Sequence, residues 1–410
     1  MKIVYLNASG QMGGAERSLL DFMASLRAAE PRATLELIAG ADGALLDQAR
    51  DLGVEARALP YPRVLARLGD AGAGGSAGSG GQSRLLSTLA RASLSMPSVA
   101  LYTTRLRRAL AAAAPDLIHT NGFKMHVLGS WAAPRGVPLL WHVHDYISSR
   151  PVMARLMRAH ANRCAAVVAN SLSVANDVRA ACGAQLRIFP IYNAVDLGRF
   201  SREGPKLDLD RLAGLAPPND PVVRIGLVAT MARWKGHEVF LRALKMLSSD
   251  PPVRGYVIGG ALYETEGSQC DLEELRRLAR SMGLAERVGF TGFVGDAAAA
   301  MRALDIVVHA STQPEPFGLV IAEAMACGRA VVVSRGGGAA EIITPGEDAL
   351  VHDPGSVRDL AERMSELVRD PALRAALGAK AVQSARRRFA RARLADELMP
   401  IYRLLGAQAA

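Results

Sequence analysis

Two doubly wound α/β domains, each a parallel sheet flanked by helices, are what this sequence predicts. Three observations carry that prediction. Short β-branched runs alternate with helical patterns from end to end, as in parallel sheets whose crossovers are helices. At 410 residues the chain is long for one core and fits two domains of ordinary size. Between Ser201 and Pro221 the alternation lapses, with Pro205, Pro217, Pro218 and Pro221 interrupting it. The expected division is therefore residues 1–200, a linker over 201–221, a second domain over 222–385 and a closing segment over 386–410.

In the first half the pattern predicts strands at Lys2–Asn7, Thr34–Ala39, Val54–Leu59, Leu117–Thr120, Pro138–His144, Ala165–Ala169 and Leu186–Tyr192. Gly69 to Gly81 is rich in Gly, Ala and Ser and reads as a flexible surface loop. The second series is predicted at Val222–Ala229, Gly255–Ile258, Val288–Thr291, Asp305–His309, Ala330–Ser334 and Ala349–His352. Two such domains facing a cleft place a ligand at the carboxyl ends of their strands.

The bulk numbers narrow the function classes. Half the residues are hydrophobic and only 5% aromatic, as in soluble α/β proteins. No apolar run reaches the ~20 residues that cross a bilayer. The first strand turns polar too soon for a secretory signal, so a cytoplasmic location is expected. Four cysteines, Cys164, Cys182, Cys270 and Cys327, form no Cys-x-x-Cys pair and read as buried free thiols. The net charge of +10 is unevenly spread. Arg84 to Arg108 and Arg150 to Arg163 contain arginines and no acid, and Arg386 to Arg388 with Arg391 and Arg393 form a third cluster. Anionic partners follow, a membrane surface or a lipid-linked phosphate acceptor before nucleic acid. Leucines interleave the first cluster, so an amphipathic basic helix on anionic lipid is one reading of 84–108. Pro97 interrupts it, and a helical lid of the first domain is the other reading. Single-strand nucleic-acid binding lacks its interleaved aromatics, and no helix-turn-helix or zinc module is evident.

The most informative stretch is Glu315-Pro-Phe-Gly-Leu-Val-Ile-Ala-Glu323-Ala-Met-Ala-Cys-Gly328. Pro314 and Pro316 break the chain after a buried strand, and Phe317 to Cys327 has the length and period of a helix stopped by Gly328. Glu315 then lies in the loop before the helix and Glu323 about two turns along it. The amides near Gly318 and Leu319 make an anion site at the helix N-terminus. Carboxylates do not bind phosphate oxygens, so the two glutamates face hydroxyls, a sugar at the loop and a ribose beyond. That is the layout of a nucleotide-sugar site.

Three further segments point the same way. Ser9-Gly10-Gln-Met-Gly13-Gly14-Ala-Glu16 follows the first strand and opens a helix, letting backbone approach a phosphate. Its spacing is not Gly-x-Gly-x-x-Gly, which argues against a dinucleotide fold. Trp141-His142-Val-His144-Asp145 ends another strand, with both histidines on one face. Two histidines fall short of a metal site. His119 and Asn121 end a third strand at the same edge and are expected to line the cleft. Thr230-Met-Ala-Arg233-Trp-Lys235-Gly236 opens the second domain with two fixed cations, which could stabilise a departing diphosphate without a metal.

The string "PEPFGLVIAEAMACGRAVVVS", continued by Gly337-Gly338-Ala-Ala-Glu341 and Gly346, resembles the signature of the retaining glycosyltransferases of family 4, which have a GT-B fold. The resemblance covers nearly the whole chain. It implies a nucleotide-sugar donor, a glycan or lipid-linked acceptor, no metal or cofactor, and no nucleic acid. Residue by residue it implies Glu323 on the donor ribose, Glu315 on the donor sugar, and Lys235 and Arg233 on the pyrophosphate, with Phe317, Gly318 and Leu319 supplying amides. Gly13 and Gly14 would cover the pyrophosphate. His144 would contact the transferred sugar or acceptor, with Asp145 orienting its imidazole or capping the next helix; from their places at strand ends, His119, Asn121 and His142 are expected on the acceptor side with Asp145. The family's usual arginine before Lys-Gly falls on Thr230, and Arg233, three residues nearer, takes its place. Asn193-Ala-Val-Asp196 resembles the family's turn near the hinge, and Gly259-Gly260 and Gly292-Phe293 end strands where a base would rest. In such proteins the final helix often returns to the first domain. Bacterial envelope and exopolysaccharide synthesis is the implied setting; a nucleotide-sugar epimerase or sugar phosphorylase is the enzymatic alternative, and a basic binding protein the non-enzymatic one.

Overall fold

The computed structural model describes residues 1–62, 81–260 and 269–407, with side chains in the helix Gly81–Ala113 described from Pro97 onward. The chain forms two compact units: Met1–Tyr192 together with Arg391–Ala410, and Asn193–Ala390. The loop expected over Gly69–Gly81 lies, but for its last residue, outside the described residues.

The first unit is built on β1 (Lys2–Asn7), β2 (Thr34–Ala39), β3 (Glu55–Ala58), β4 (Leu117–Asn121), β5 (Leu139–Val143), β6 (Ala166–Ala169) and β7 (Ile188–Pro190). All pairs are parallel, in the order β3-β2-β1-β4-β5-β6-β7. β7 is trimmed relative to its expected span, and Pro190, which has no N–H to donate, is tolerated because the strand lies at the sheet edge. The winding reverses between β1 and β4, which makes their carboxyl ends the topological switch point.

Two helices cover one face of this sheet. Gly14–Ala29 buries Leu19, Phe22, Met23 and Leu26, an i, i+3, i+4, i+7 stripe, each stabilising the fold by ~1.5–3 kcal/mol. Arg393–Ala407, the last helix, buries Leu394, Leu398, Tyr402 and Leu405. It is clasped to the first helix by Ser25 Oγ, which accepts from the Ala395 amide at 3.0 Å, and by the Arg391–Asp21 pair at 2.8 Å. On Gly81–Ala113, which runs through Pro97, the residues Tyr102, Leu106 and Leu110 are fully buried in the core of this unit. The apolar side of that part of the basic segment therefore faces protein, while Arg105, Arg107 and Arg108 remain exposed.

In the second unit β8 (Val223–Val228), β9 (Val253–Ile258), β10 (Val288–Gly292), β11 (Ile306–His309), β12 (Ala330–Ser334) and β13 (Leu350–His352) form a second parallel sheet in the order β10-β9-β8-β11-β12-β13. Its switch point lies between β8 and β11. The linker expected over 201–221 is not a separate segment. Residues from Asn193 onward belong to the second unit, and Leu209–Ala213 is a helix capped by Asp208 and ended by Gly214 in the left-handed conformation. The buried Asp210 carboxylate ties that helix to the sheet by accepting from Arg224, Arg254 and Tyr256. The prolines break the strand–helix alternation without freeing the chain. At the other end, the expected segment 386–410 divides, Pro371–Arg388 ending in the second unit and Arg391 beginning the return to the first.

Candidate active site

The strongest cluster of charge and chemistry lies at the switch point of the second sheet. After β8 the chain makes a 3-10 turn, Arg233–Lys235, and then enters the helix His237–Met246. The joint is Gly236, with φ +76°, where a Cβ would lie 2.0 Å from the Ala310 carbonyl oxygen. Only glycine allows so close an approach, and it sets Lys235 against the end of β11. The Thr312 amide donates to the Trp234 carbonyl at 2.7 Å and binds the two loops together. Lys235 Nζ donates to Glu315 Oε1 and lies 4.1 Å from the centre of the Trp234 ring.

Glu315 is 7% exposed, and its backbone carbonyl accepts from the Gly338 amide at 2.7 Å. Oε2 accepts from His309 Nε2 at 2.8 Å and from Ser311 Oγ at 2.7 Å. Burial opposes ionisation here, yet Lys235 and His309 beside the carboxylate, with their hydrogen bonds, hold it well below the usual carboxylate range. His237, two residues beyond Lys235, is pulled down to about 4 by burial and by the Lys235 charge.

The helix expected over Phe317–Cys327 runs from Leu319 to Ala326. Its N-cap is Gly318, left-handed at φ +87°, so no cap side chain accepts from the first-turn amides. Glu323 is on this helix and 8% exposed. Phe317, expected among the donor-binding residues, is 2% exposed, and its side chain packs edge-to-face on Phe389. Arg233 is not brought to Glu315. Its guanidinium makes a two-toothed pair with Glu274 at 3.2 and 3.0 Å on the exposed surface.

The switch point of the first sheet is built from amides and an imidazole, with the Glu16 carboxyl at its edge. Asn7 Nδ2 donates to the Ser9 carbonyl at 2.6 Å and to Glu16 Oε1 at 3.2 Å. Asn7 Oδ1 accepts from Asn121 Nδ2 at 2.7 Å, and Asn121 Oδ1 faces His144 Nε2 at 2.5 Å. Burial raises the Glu16 carboxyl and pulls His144 down to about 3. Asn121, not Asp145, therefore orients the His144 imidazole. Asp145 accepts from the Tyr146 amide at 2.9 Å and pairs with Arg150 at 3.3 Å, because its short side chain turns back on the following loop. A Cβ on Gly14 would meet nothing within 4 Å, while one on Gly10 would strike the Asp42 carbonyl at 2.3 Å. Gly10 thus serves packing, and Gly14 leaves open space.

His119 and His142 do not line a surface. Both are completely buried, because the face of β4 and β5 they project from is covered by Gly14–Ala29 and Arg393–Ala407. His119 Nδ1 is 2.5 Å from Tyr402 Oη, and the His142 ring packs 4.5 Å from that of Phe22. Burial pulls His119 down to about 3 and His142 well below its ordinary value. Among the described residues no group of three His, Cys, Asp or Glu side chains forms a metal site, and no helix is long and apolar enough to cross a membrane.

Two family models match, "Glycosyltransferase Family 4" over residues 12–199 and "Glycosyl transferases group 1" over residues 216–384. A D-inositol 3-phosphate glycosyltransferase of Actinosynnema mirum is 31% identical over 73% of this chain and 76% of its own. The chain belongs to the family 4, group 1 glycosyltransferases. It is a transferase with the GT-B fold. HepE of Anabaena, solved in complex with UDP-glucose, matches 98% of this chain and 100% of its own with a TM-score of 0.77 at 28% identity. The lipopolysaccharide core biosynthesis glycosyltransferase LpsD of Rhizobium meliloti is 30% identical over half of this glycosyltransferase and 56% of its own length.

His309 and Ser311 were not among the residues singled out by sequence. Their signal was present: both lie at the carboxyl end of the switch-point strand, six and four residues before Glu315.

Proposed function

We propose that this glycosyltransferase moves a sugar from a nucleoside diphosphate donor to an acceptor hydroxyl with retention of anomeric configuration. The observation that carries the reading is the buried Lys235–Glu315 pair at the head of the second sheet, beside an uncapped helix N-terminus. A departing diphosphate gathers negative charge in the transition state, and a fixed ammonium with helix amides stabilises it there. In this reading Lys235 and the Gly318 and Leu319 amides take the pyrophosphate, Glu323 the ribose and Glu315 a sugar hydroxyl. Arg233 joins only by leaving Glu274. No step in this proposal calls for a metal.

HepE, solved with UDP and with UDP-glucose, supports a uridine diphosphate donor. Similarity to LpsD, a lipopolysaccharide core biosynthesis glycosyltransferase, supports a glycan or lipid-linked acceptor in envelope synthesis. Contact with an anionic membrane surface belongs to the same proposal and is carried by the charge of Arg105, Arg107 and Arg108.

A thermal-shift panel of UDP-, GDP- and ADP-sugars selects the donor, since a ligand at about 100 times its dissociation constant stabilises by ~2.7 kcal/mol. With that donor, Lys235→Ala and Glu315→Gln are each expected to lose ~10²–10³-fold in turnover. Unchanged turnover in both overturns the assignment. Incubating donor alone separates transfer from epimerisation, and the anomeric coupling constant of the product tests retention.

A further inference from the structure

Glu315 offers its two oxygens to different kinds of donor. Oε2 is held by His309 Nε2 at 2.8 Å and Ser311 Oγ at 2.7 Å, and these two atoms are themselves 3.0 Å apart. Both residues are nearly solvent-free, His309 4% exposed and Ser311 1%. Their backbones are pinned in turn. The His309 carbonyl faces His352 Nε2 at 3.1 Å, at the end of β13, and the Ser311 carbonyl accepts from Ser334 Oγ at 2.5 Å, at the end of β12. Three neighbouring strands thus fix the donors to Oε2. The space behind them is a cavity of about 10 Å³ lined by Lys235, His309, Ser311 and the ends of β8 and β11, room for one water at most. Oε1 instead meets Lys235, a cation on a flexible four-carbon stem.

We propose that His309 and Ser311 are positioning residues for Glu315, anchoring Oε2 so that Oε1 can exchange Lys235 for a hydroxyl of the donor sugar. The inference rests on the proposed donor site and deepens it. An ionised carboxylate only accepts, so whatever replaces the ammonium at Oε1 must donate; a sugar hydroxyl does and a phosphate oxygen does not. The same carboxylate fixes the histidine's proton at Nε2. Once an anion draws Lys235 away, a Glu315 lacking its rigid donors would be free to rotate, and a buried charge would lose its hydrogen bonds.

The test measures UDP released from UDP-glucose with water as acceptor, alongside UDP affinity by calorimetry, for His309→Leu, His309→Gln, Ser311→Ala and Glu315→Gln. His309→Leu is expected to lower kcat by about tenfold to a hundredfold, the effect of removing one hydrogen bond to a charged group, with UDP affinity changed less than about twofold. His309→Gln, whose amide can donate from the Nε2 position, is expected to recover most of that loss. In a Glu315→Gln background His309→Leu should cost little more, because its target carboxylate is gone. Wild-type kcat in His309→Leu beside an inactive Glu315→Gln overturns the inference while leaving the donor site standing. A Glu315→Gln enzyme with wild-type kcat overturns the donor site itself. Should His309→Leu fail to fold, Ser311→Ala decides: a fall in kcat at constant UDP affinity supports the inference, and unchanged kcat sinks it.

Discussion

At the switch point of the first sheet Asn7, Asn121 and His144 pass hydrogen bonds along a row of uncharged groups, with His119 and His142 buried beneath them. At the corresponding point of the second sheet stand an ammonium and a carboxylate, each largely withdrawn from water. Both units share one topology, and burial favours the neutral form in each, yet the outcome differs because only the second site sets charged partners beside its buried carboxylate. In the first, no opposing charge offsets desolvation and the histidines stay neutral. In the second, partners within hydrogen-bond reach keep Glu315 ionised despite its burial. A shared fold therefore dictates where chemistry gathers, and the local partners decide its sign.

The sharpest way to break this contrast is to neutralise one side of the ion pair. Lys235→Ala should lower stability by ~3–5 kcal/mol, because a buried carboxylate loses its cation. Urea unfolding reads the loss, and Lys235→Ala with Glu315→Gln should regain part of it. Stability unchanged in Lys235→Ala would show that His309 and Ser311 suffice to hold Glu315.

Acid should separate the units. His119, His126 and His142 have folded values below the ordinary ~6.5. Their contribution is thus present above that value and is lost as pH falls below it, since only the unfolded chain takes up the protons. Each contributes a slope of up to ~1.4 kcal/mol per pH unit. Glu315 is depressed instead, so its contribution is lost only as pH falls below the ordinary carboxylate range. His237 and His352 of the second unit are lowered in the same sense, but the first unit has four such histidines, His144 included, so between pH 7 and 5 it should loosen first. Hydrogen exchange by mass spectrometry, corrected for intrinsic rates, checks which peptides open.

A smaller effect is expected where the last helix joins the first unit. Tyr402→Phe leaves His119 Nδ1 buried without its partner and should cost ~1–3 kcal/mol in urea unfolding, with kcat unaltered. Smallest of all, Arg233→Ala should leave stability unchanged, since its pair with Glu274 is exposed. A large loss of donor affinity in that variant would show the arginine exchanging its surface partner for the ligand, and would bring Arg233 back beside Lys235.

Much of this was legible along the chain. Strand alternation placed the thirteen strands among the described residues within a residue or two of their ends, most of them short β-branched runs because a strand buried on both faces needs such residues. Glu315 and Lys235 were legible because a cation before Gly236 and a carboxylate after two prolines stand out at strand ends. His309 was harder to see, since a histidine in an apolar strand looks like any core residue until its neighbours are known. The faces of His119 and His142 were hidden for a different reason. Alternation tells which residues share a face, but not whether a helix from the far end of the chain covers it.

By itself, then, the sequence determined the α/β class, the two sheets and the chemical kinds of residue at their carboxyl ends, all consequences of local period and spacing. Tertiary structure alone decided that Arg391–Ala410 completes the first unit, that Arg233 turns to Glu274, and that one glutamate oxygen is held by His309 and Ser311 while Lys235 holds the other. Apart from His309 and Ser311, which lie six and four residues before Glu315, those outcomes bring together residues tens to hundreds of positions apart, and no periodic pattern in the chain encodes such a meeting.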